Sequence, residues 1–333
     1  MSTEEMSNLV RALAADLIGE AGFQFGKPMK RYGLSLVPIV TRREQDSPDY
    51  LNAAEALERG TLVLQETGSA VNIVLGRNTG QEVVLIEEGE ILAGDGTQNR
   101  IVVANTLIEP GKEARIPVKC IHAPHPLSKG ASFLTAGAGA IDFLSRIRVQ
   151  KYQSIMTDVE HYIPEEAVSQ EEVWRNIRRY SENLGVEDET DYTAALERIR
   201  SKAREMAEEL RVCLPEDTCG LVAVNSVGEV VSVELYNKPG PFGNRRGFIE
   251  ALLVEHATDE REDTGVEVTE LVREFLQKLE NAESDEIQAK EGHPNLVMSV
   301  AGLHGEAVVS PAAPGGKAHI LYCSLGKAQR VSQ

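Results

Sequence analysis

The chain has 333 residues, 42% of them apolar, and carries 34 Lys plus Arg against 52 Asp plus Glu for a net charge of −18. That length and apolar content suit one extended or two ordinary globular domains, and the acidic balance argues against non-specific binding to a nucleic-acid backbone. No apolar run approaches the ~20 residues of a membrane-spanning helix, and no basic segment with an apolar core and cleavage site opens the chain, so a cytoplasmic location without membrane association is expected.

Residues 2–20 read as a helix. Ser2 and Glu5 stand at capping-box spacing, Met6, Leu9, Val10, Leu13 and Leu17 form one apolar stripe, and Gly19 and Gly22 offer a stop. Such a stripe has to be covered. Packing within the chain is the simpler reading, and a homo-oligomer built on this helix is the other.

From Tyr32 to about Val118 the pattern turns to short strands, over 34–40, 62–65, 71–75, 83–86, 101–104 and 114–118, with one helix near 50–59. Turns of Gly, Asn or Pro between them indicate a mostly antiparallel sheet, sandwich or barrel-like unit. Residues 120–145, with Pro124, Pro126, Gly130, Gly137 and Gly139, read as an irregular functional loop or crossover.

Helices come next. One opens with a capping box at Ser169 and Glu172 and buries Val173, Trp174 and Ile177, and a second carries Leu196, Ile199, Ala203, Met206 and Leu210. Together they suggest a helical hairpin. Strands resume at 220–225 and 229–236, helices at 246–256 and 266–279, a charged linker at 281–291, and strands at 296–303, 306–309 and 318–323.

The expected fold class is mixed α and β, of the α+β type: a helix over 1–28, a β-rich region over 29–150, a helical hairpin over 151–215 and a smaller α/β region over 216–333. The 29–150 and 216–333 regions are able to pack as one extended domain.

The densest chemical signal is Gly89-Glu90-Ile91-Leu92-Ala93-Gly94-Asp95-Gly96-Thr97-Gln98-Asn99-Arg100, which joins two apolar strands. Turn preferences account for Gly94-Asp95-Gly96 but not for the run that follows. Gln98, Asn99 and Arg100 carry amide and guanidinium groups suited to carboxylates, phosphates and nucleotide edges. In a strand Gln98 and Arg100 share a face and Asn99 points oppositely, where it is able to satisfy turn backbone. Glu90 is read as a general base or a metal ligand, or alternatively as the partner of Arg100, since a buried carboxylate needs a cation or several donors.

This motif resembles the signature of the ADP-ribosylglycohydrolase- and rhodanese-phosphatase-associated protein domain family. The stretch Tyr32 to Ile39 is similar to the family's first strand, Ile116 to Cys120 to the strand after the motif, Gln170 to Trp174 to a helix start, and Gly220 to Tyr236 to a later hairpin. The resemblance implies a connection, through genomic company, with ADP-ribose or nucleotide metabolism. It transfers no reaction and no catalytic residue.

Three weaker signals remain. Cys120, His122 and His125 are metal-ligand types, with His304 the nearest thought for a fourth ligand, yet no tetrahedral set follows from the spacing. Gly137-Ala138-Gly139 lacks the third glycine and preceding strand of a dinucleotide loop, so small-residue packing or a flexible lid is the simpler reading. Arg245 and Arg246 open a helix and suit an anion, with solvated arginines as the ordinary alternative. Cys120, Cys213, Cys219 and Cys323 form no paired motif and read as mostly buried thiols.

The functional expectation is a nucleotide-derived, ADP-ribose- or NAD-related small-molecule partner, oriented by Gln98 and Arg100 beside Asn99 and Asp95, with Glu90 as the acid/base. The alternative is a non-catalytic scaffold in which the motif is structural. No cofactor is specified by either.

Overall fold

The computed structural model describes residues 2–42, 49–68, 70–122, 128–139, 141–183, 192–244, 247–256, 267–283, 285–290, 293–310 and 317–328. Among these, β-rich and helical segments alternate as a mixed α+β fold. Two large sheets organise it.

The first is a nine-stranded antiparallel sheet running Phe23–Phe25, Leu34–Thr41, Thr218–Asn225, Val230–Tyr236, Ile320–Gly326, Leu303–Val309, Asn295–Val300, Ile287–Ala289, with Met29–Arg31 also on Leu34–Thr41. The N-terminal β-rich stretch therefore gives its first long strand to the C-terminal sheet. The near-continuous apolar runs Leu221 to Val224 and Val230 to Tyr236 follow from burial on both faces.

One face of this sheet is covered by helices Thr3–Gly19 and Val268–Glu280. The capping box expected at Ser2 and Glu5 is present, and Met6, Val10, Ala14 and Leu17 are buried against Val272, Phe275 and sheet residues. Each buried Val, Leu or Met contributes roughly 1.5–3 kcal/mol, enough to hold the helix down. Its stripe is covered within the chain, which removes the reason for expecting a second copy there.

The other face carries helix Ile141–Thr157 and the short helices Pro239–Asn244 and Phe248–His256. Beyond lies the second sheet, six strands in the order Phe133–Ala138, Glu90–Gly94, Arg100–Val102, Glu113–Cys120, Ile73–Asn78, Leu62–Glu66. Its edges meet. Gln65 bridges Ser132, and Glu66 N–H donates to Ala131 O at 2.8 Å, closing the sheet as a small barrel. Leu62, Leu64 and Glu66 are buried while Val63 and Gln65 are exposed, the alternation that barrel closure requires. A three-stranded sheet of Thr106–Ile108, Val83–Ile86 and Tyr50–Asn52 connects the barrel to the larger sheet.

Three expectations are corrected here. Residues 120–145 are not irregular throughout, because Phe133–Ala138 pairs with Glu90–Gly94 as a barrel strand. Helix Ile141–Thr157 escaped detection because Ser145, Arg148 and Lys151 occupy inward positions and interrupt its apolar stripe. Within 281–291, Ile287–Ala289 forms an edge strand with both ends buried, although charged neighbours mask it. The predicted hairpin helices occur as Gln170–Asn183 and Tyr192–Cys213, and Ser169 Oγ accepts from Glu172 N–H at 3.4 Å.

Candidate functional site

The Gly89 to Arg100 motif opens where the chain passes from strand Val83–Ile86 into barrel strand Glu90–Gly94. The crossing turn is Glu87-Glu88-Gly89. Gly89 has φ +85°, and a Cβ there would sit 2.5 Å from Leu144 Cδ1, so both conformation and space call for glycine. Its N–H donates to Val102 O and its carbonyl accepts from Gly139 N–H, each at 2.8 Å. The turn is thereby locked, and it aims three carboxylates, Glu87, Glu88 and Glu90, into the molecule.

Arg100 does not pair with Glu90. Its guanidinium Nη2 donates to Glu66 Oε2 at 2.9 Å inside the barrel, with both side chains fully buried. Gln98 lies on the same side as expected, and its Oε1 accepts from Arg100 Nη1 at 2.8 Å. Asn99 turns the other way: Oδ1 accepts from Gly94 N–H at 3.1 Å, and Nδ2 donates to Thr193 Oγ1 at 3.3 Å. Asp95 is exposed in the turn, its N–H donating to Ser132 O at 2.9 Å. The structure thus brings Gln98 and Arg100 together with Glu66, and leaves Glu90 on a different surface.

That surface is a cleft of about 330 Å³. Glu58, Glu87 and Glu90 line it with the amides of Asn52 and Asn244, over Leu57 and Leu134. Gly137, at φ +95°, forms part of its wall, and Arg200 stands behind, Nη1 lying 3.4 Å from where a Cβ on Gly137 would be. Among the described lining residues none is Lys or Arg. The described lining offers carboxylates and amides, which suit hydroxyl- or amine-bearing groups.

Glu87 links the cleft to a buried polar network. Tyr236 OH donates to Glu87 Oε1 at 3.1 Å, and Tyr322 OH donates to Glu234 Oε1 at 2.9 Å, with the two rings 4.8 Å apart. Tyr50 OH is 2.9 Å from both Asn237 Oδ1 and Leu321 O, and burial, followed by the charge of Glu87, holds this phenol well above its ordinary pKa.

Glu88 turns the other way, toward helix Ile141–Thr157. Arg148 Nε donates to its Oε2 at 2.7 Å, and the Lys151 ammonium contacts its other oxygen while also donating to Glu306 Oε1 at 2.6 Å. Asn105 completes the group, Nδ2 donating to Glu306 Oε2 at 2.8 Å and Oδ1 accepting from Glu88 N–H at 2.8 Å. One ammonium is shared by two carboxylates, and their proton affinities separate. Burial opposes ionisation of both. For Glu88, Lys151 and Arg148 outweigh burial and lower its pKa, whereas for Glu306 burial and the Glu88 charge prevail over Lys151 and raise it.

Sequence reasoning missed Glu66, Glu87, Glu88, Arg148, Lys151, Glu234 and Glu306. A usable signal did exist in Glu87-Glu88-Gly89-Glu90, because three carboxylates between two apolar strands demand buried partners.

Cys120 Sγ donates to His122 O at 3.1 Å, and the Gln170 amide clamps the Cys120 backbone, Oε1 accepting from its N–H and Nε2 donating to its carbonyl. His125, Arg245 and Arg246 lie outside the described residues, and among the described residues no three His, Cys, Asp or Glu side chains group as metal ligands. His304 sits in the large sheet, 6.0 Å from the Tyr152 ring. Gly139 packs against the Ile101 side chain, the small-residue role expected for Gly137 to Gly139. Three cysteines are buried, and Cys213 is exposed.

The matched span decides the family. The profile of ARPP-1, the ARG and Rhodanese-Phosphatase-superfamily-associated Protein domain, covers residues 22–324. The chain belongs to this family. The match runs from the first strand of the large sheet into its last strand, so the ARPP-1 domain here comprises both sheets and the cleft beside them. Searches of curated proteins and of solved structures return no match. No helix among the described residues is long and apolar enough to cross a membrane.

Proposed function

We propose that this ARPP-1 domain binds a ribose-bearing, nucleotide-derived small molecule in the cleft of Glu58, Glu87 and Glu90, with Glu90 as the acid/base group. The observation that carries this is the placement of Glu87 and Glu90 in one cleft, held by a glycine turn and backed by a buried network that fixes Glu87 through Tyr236. Carboxylates accept hydrogen bonds from sugar hydroxyls, and paired carboxylates are the groups that glycosidic chemistry requires. The family's association with ADP-ribosylglycohydrolase supports a ribose-containing ligand. Arg100, with its charge committed to Glu66, is a support of the barrel in this reading, and Gln98 and Asn99 steady the same turn. Asp95 stays at the solvent-facing tip.

The test is calorimetry and thermal shift of the full chain with ADP-ribose, NAD, ribose 5-phosphate and adenosine. Binding of at least one, weakened about tenfold or more in Glu90→Gln without loss of stability, supports the reading; ligand affinity untouched by Glu90→Gln and Glu87→Gln overturns it.

A second reading is a non-catalytic scaffold, and one observation favours it: the Gln98 to Arg100 half of the motif makes bonds inside the protein. The absence of any melting shift from these ligands or from divalent metals would establish it over the first.

A further inference from the structure

A concave basic surface lies at the edge of the large sheet. Phe23–Phe25 and Met29–Arg31 both pair with Leu34–Thr41 and make one interrupted edge strand, broken at Gly26-Lys27-Pro28. The break and the strand after it bring Lys27, Lys30 and Arg31 to one open pocket of about 460 Å³. The last turn of helix Tyr192–Cys213, with Pro215 beyond it, supplies the opposite wall.

The two walls are tied together. Tyr32 and Gly33 have φ +58° and +74°, forming the tight turn in which Arg31 pairs with Leu34. A bulky side chain rarely adopts that conformation, and such strain persists where the surroundings over-determine it. Here Tyr32 OH donates to Glu209 Oε2 at 2.6 Å, fastening the turn to the helix. The shape of the pocket is therefore set by the fold itself.

Its charge is opposite to that of the chain. The net charge is −18, yet the described lining gathers three cations against one carboxylate, Glu209, whose oxygen already accepts from Tyr32. Among the described residues no carboxylate pairs with Lys27 or Arg31, and Arg31 Nη1 donates to Lys30 O at 3.0 Å. Charged side chains and prolines also guard an open sheet edge against pairing. That role calls for neither a concavity nor the bond from Tyr32 to Glu209.

Cations held around one concavity repel one another. A single carboxylate would match one of them, whereas a diphosphate meets all three, with Arg31 offering a planar fork and the lysines compact charges. The volume lies within the ~300–1,000 Å³ of small-molecule sites, and Met29, Leu210 and Pro215 add apolar lining for an organic portion.

We propose that this pocket binds a small organic diphosphate, its phosphates against Lys27, Lys30 and Arg31 and its apolar portion against Met29, Leu210 and Pro215. The site shares no lining residue with the acidic cleft and does not depend on the function proposed there.

Methyl NMR of the full chain tests this, reading the Met29 methyl, a probe inside this pocket, during titration with ADP, pyrophosphate, inorganic phosphate and adenosine. ADP and pyrophosphate are expected to give saturable shifts that weaken as salt is raised, inorganic phosphate to bind about tenfold or more weaker than pyrophosphate, and adenosine to give no shift. Lys27 and Arg31 are exposed, so Lys27→Gln with Arg31→Gln should leave the melting temperature unchanged while weakening ADP and pyrophosphate about tenfold or more. No saturable shift from either diphosphate, affinity unchanged in the double variant, or adenosine binding as tightly as ADP overturns the proposal.

Discussion

Arg100 and Glu66 form a 2.9 Å ion pair with no solvent exposure on either side chain, and they do so across the inside of a closed barrel. The two residues lie 34 positions apart and sit on strands that are not neighbours in the sheet. Removing one partner strands the other charge in a medium where it is poorly solvated. Arg100→Met or Glu66→Leu is therefore expected to cost about 3–5 kcal/mol in urea unfolding, and the double variant to recover most of it. Additive losses in the double variant would contradict a pair.

Glu306 and Glu88 make opposite contributions to the pH dependence of stability. The raised pKa of Glu306 means that the folded state holds this proton more tightly, so its contribution is greatest below the ordinary value of 4.5 and declines as pH rises through the raised value. The lowered pKa of Glu88 gives a contribution present above 4.5 and lost as pH falls through the lowered value. Against Glu306→Gln, the wild-type advantage should fall as pH rises above 4.5, with a slope no steeper than about 1.4 kcal/mol per pH unit. Against Glu88→Gln it should instead grow with pH across the range below 4.5. Urea titrations from pH 3.5 to 8 measure both.

Gly89→Ala combines a positive φ with a close approach to Leu144. A loss of roughly 1–3 kcal/mol is expected from strain and the clash together. Adding Leu144→Ala to that variant should relieve the clash but not the backbone strain, so the coupling in a double-mutant cycle should be favourable and incomplete.

Ser2 caps the N-terminal helix, its Oγ accepting from Glu5 N–H while Glu5 accepts from Ser2 N–H. Ser2→Ala should lower stability by about 1 kcal/mol. Because the helix covers the large sheet, thermal unfolding should stay a single transition, whereas a separate early transition would mean that the helix detaches on its own.

Glu90→Gln and Arg100→Met separate the two halves of the motif. The first should weaken ribose-ligand binding at unchanged melting temperature, and the second should lower the melting temperature with the cleft still competent in the folded fraction. Equal loss of binding in both, at matched folded fraction, would place Arg100 in the ligand site.

Much of the scaffold was legible before folding was considered. Strands 34–40 and 83–86, the capped helices at Ser2 and Ser169 and the family motif all express local rules, because burial repeats every two or about 3.6 residues whatever the partner is. The side on which Gln98 and Arg100 stand together follows from the same alternation, and so does the turn role of Asn99. Helix Ile141–Thr157 was hidden for the complementary reason: Arg148 and Lys151 face a charged interior, which periodicity reads as solvent.

Chain-local chemistry established the family, the α+β class and the importance of the stretch from Gly89 to Arg100. It was silent on partner choice. Coulomb attraction and hydrogen bonding depend on distance in space, and only packing brings Glu66 to Arg100, or Glu88 and Glu306 to one lysine from positions more than 200 residues apart. Packing committed Arg100 to Glu66 and left Glu90 at the cleft, a division that no spacing within twelve residues encodes.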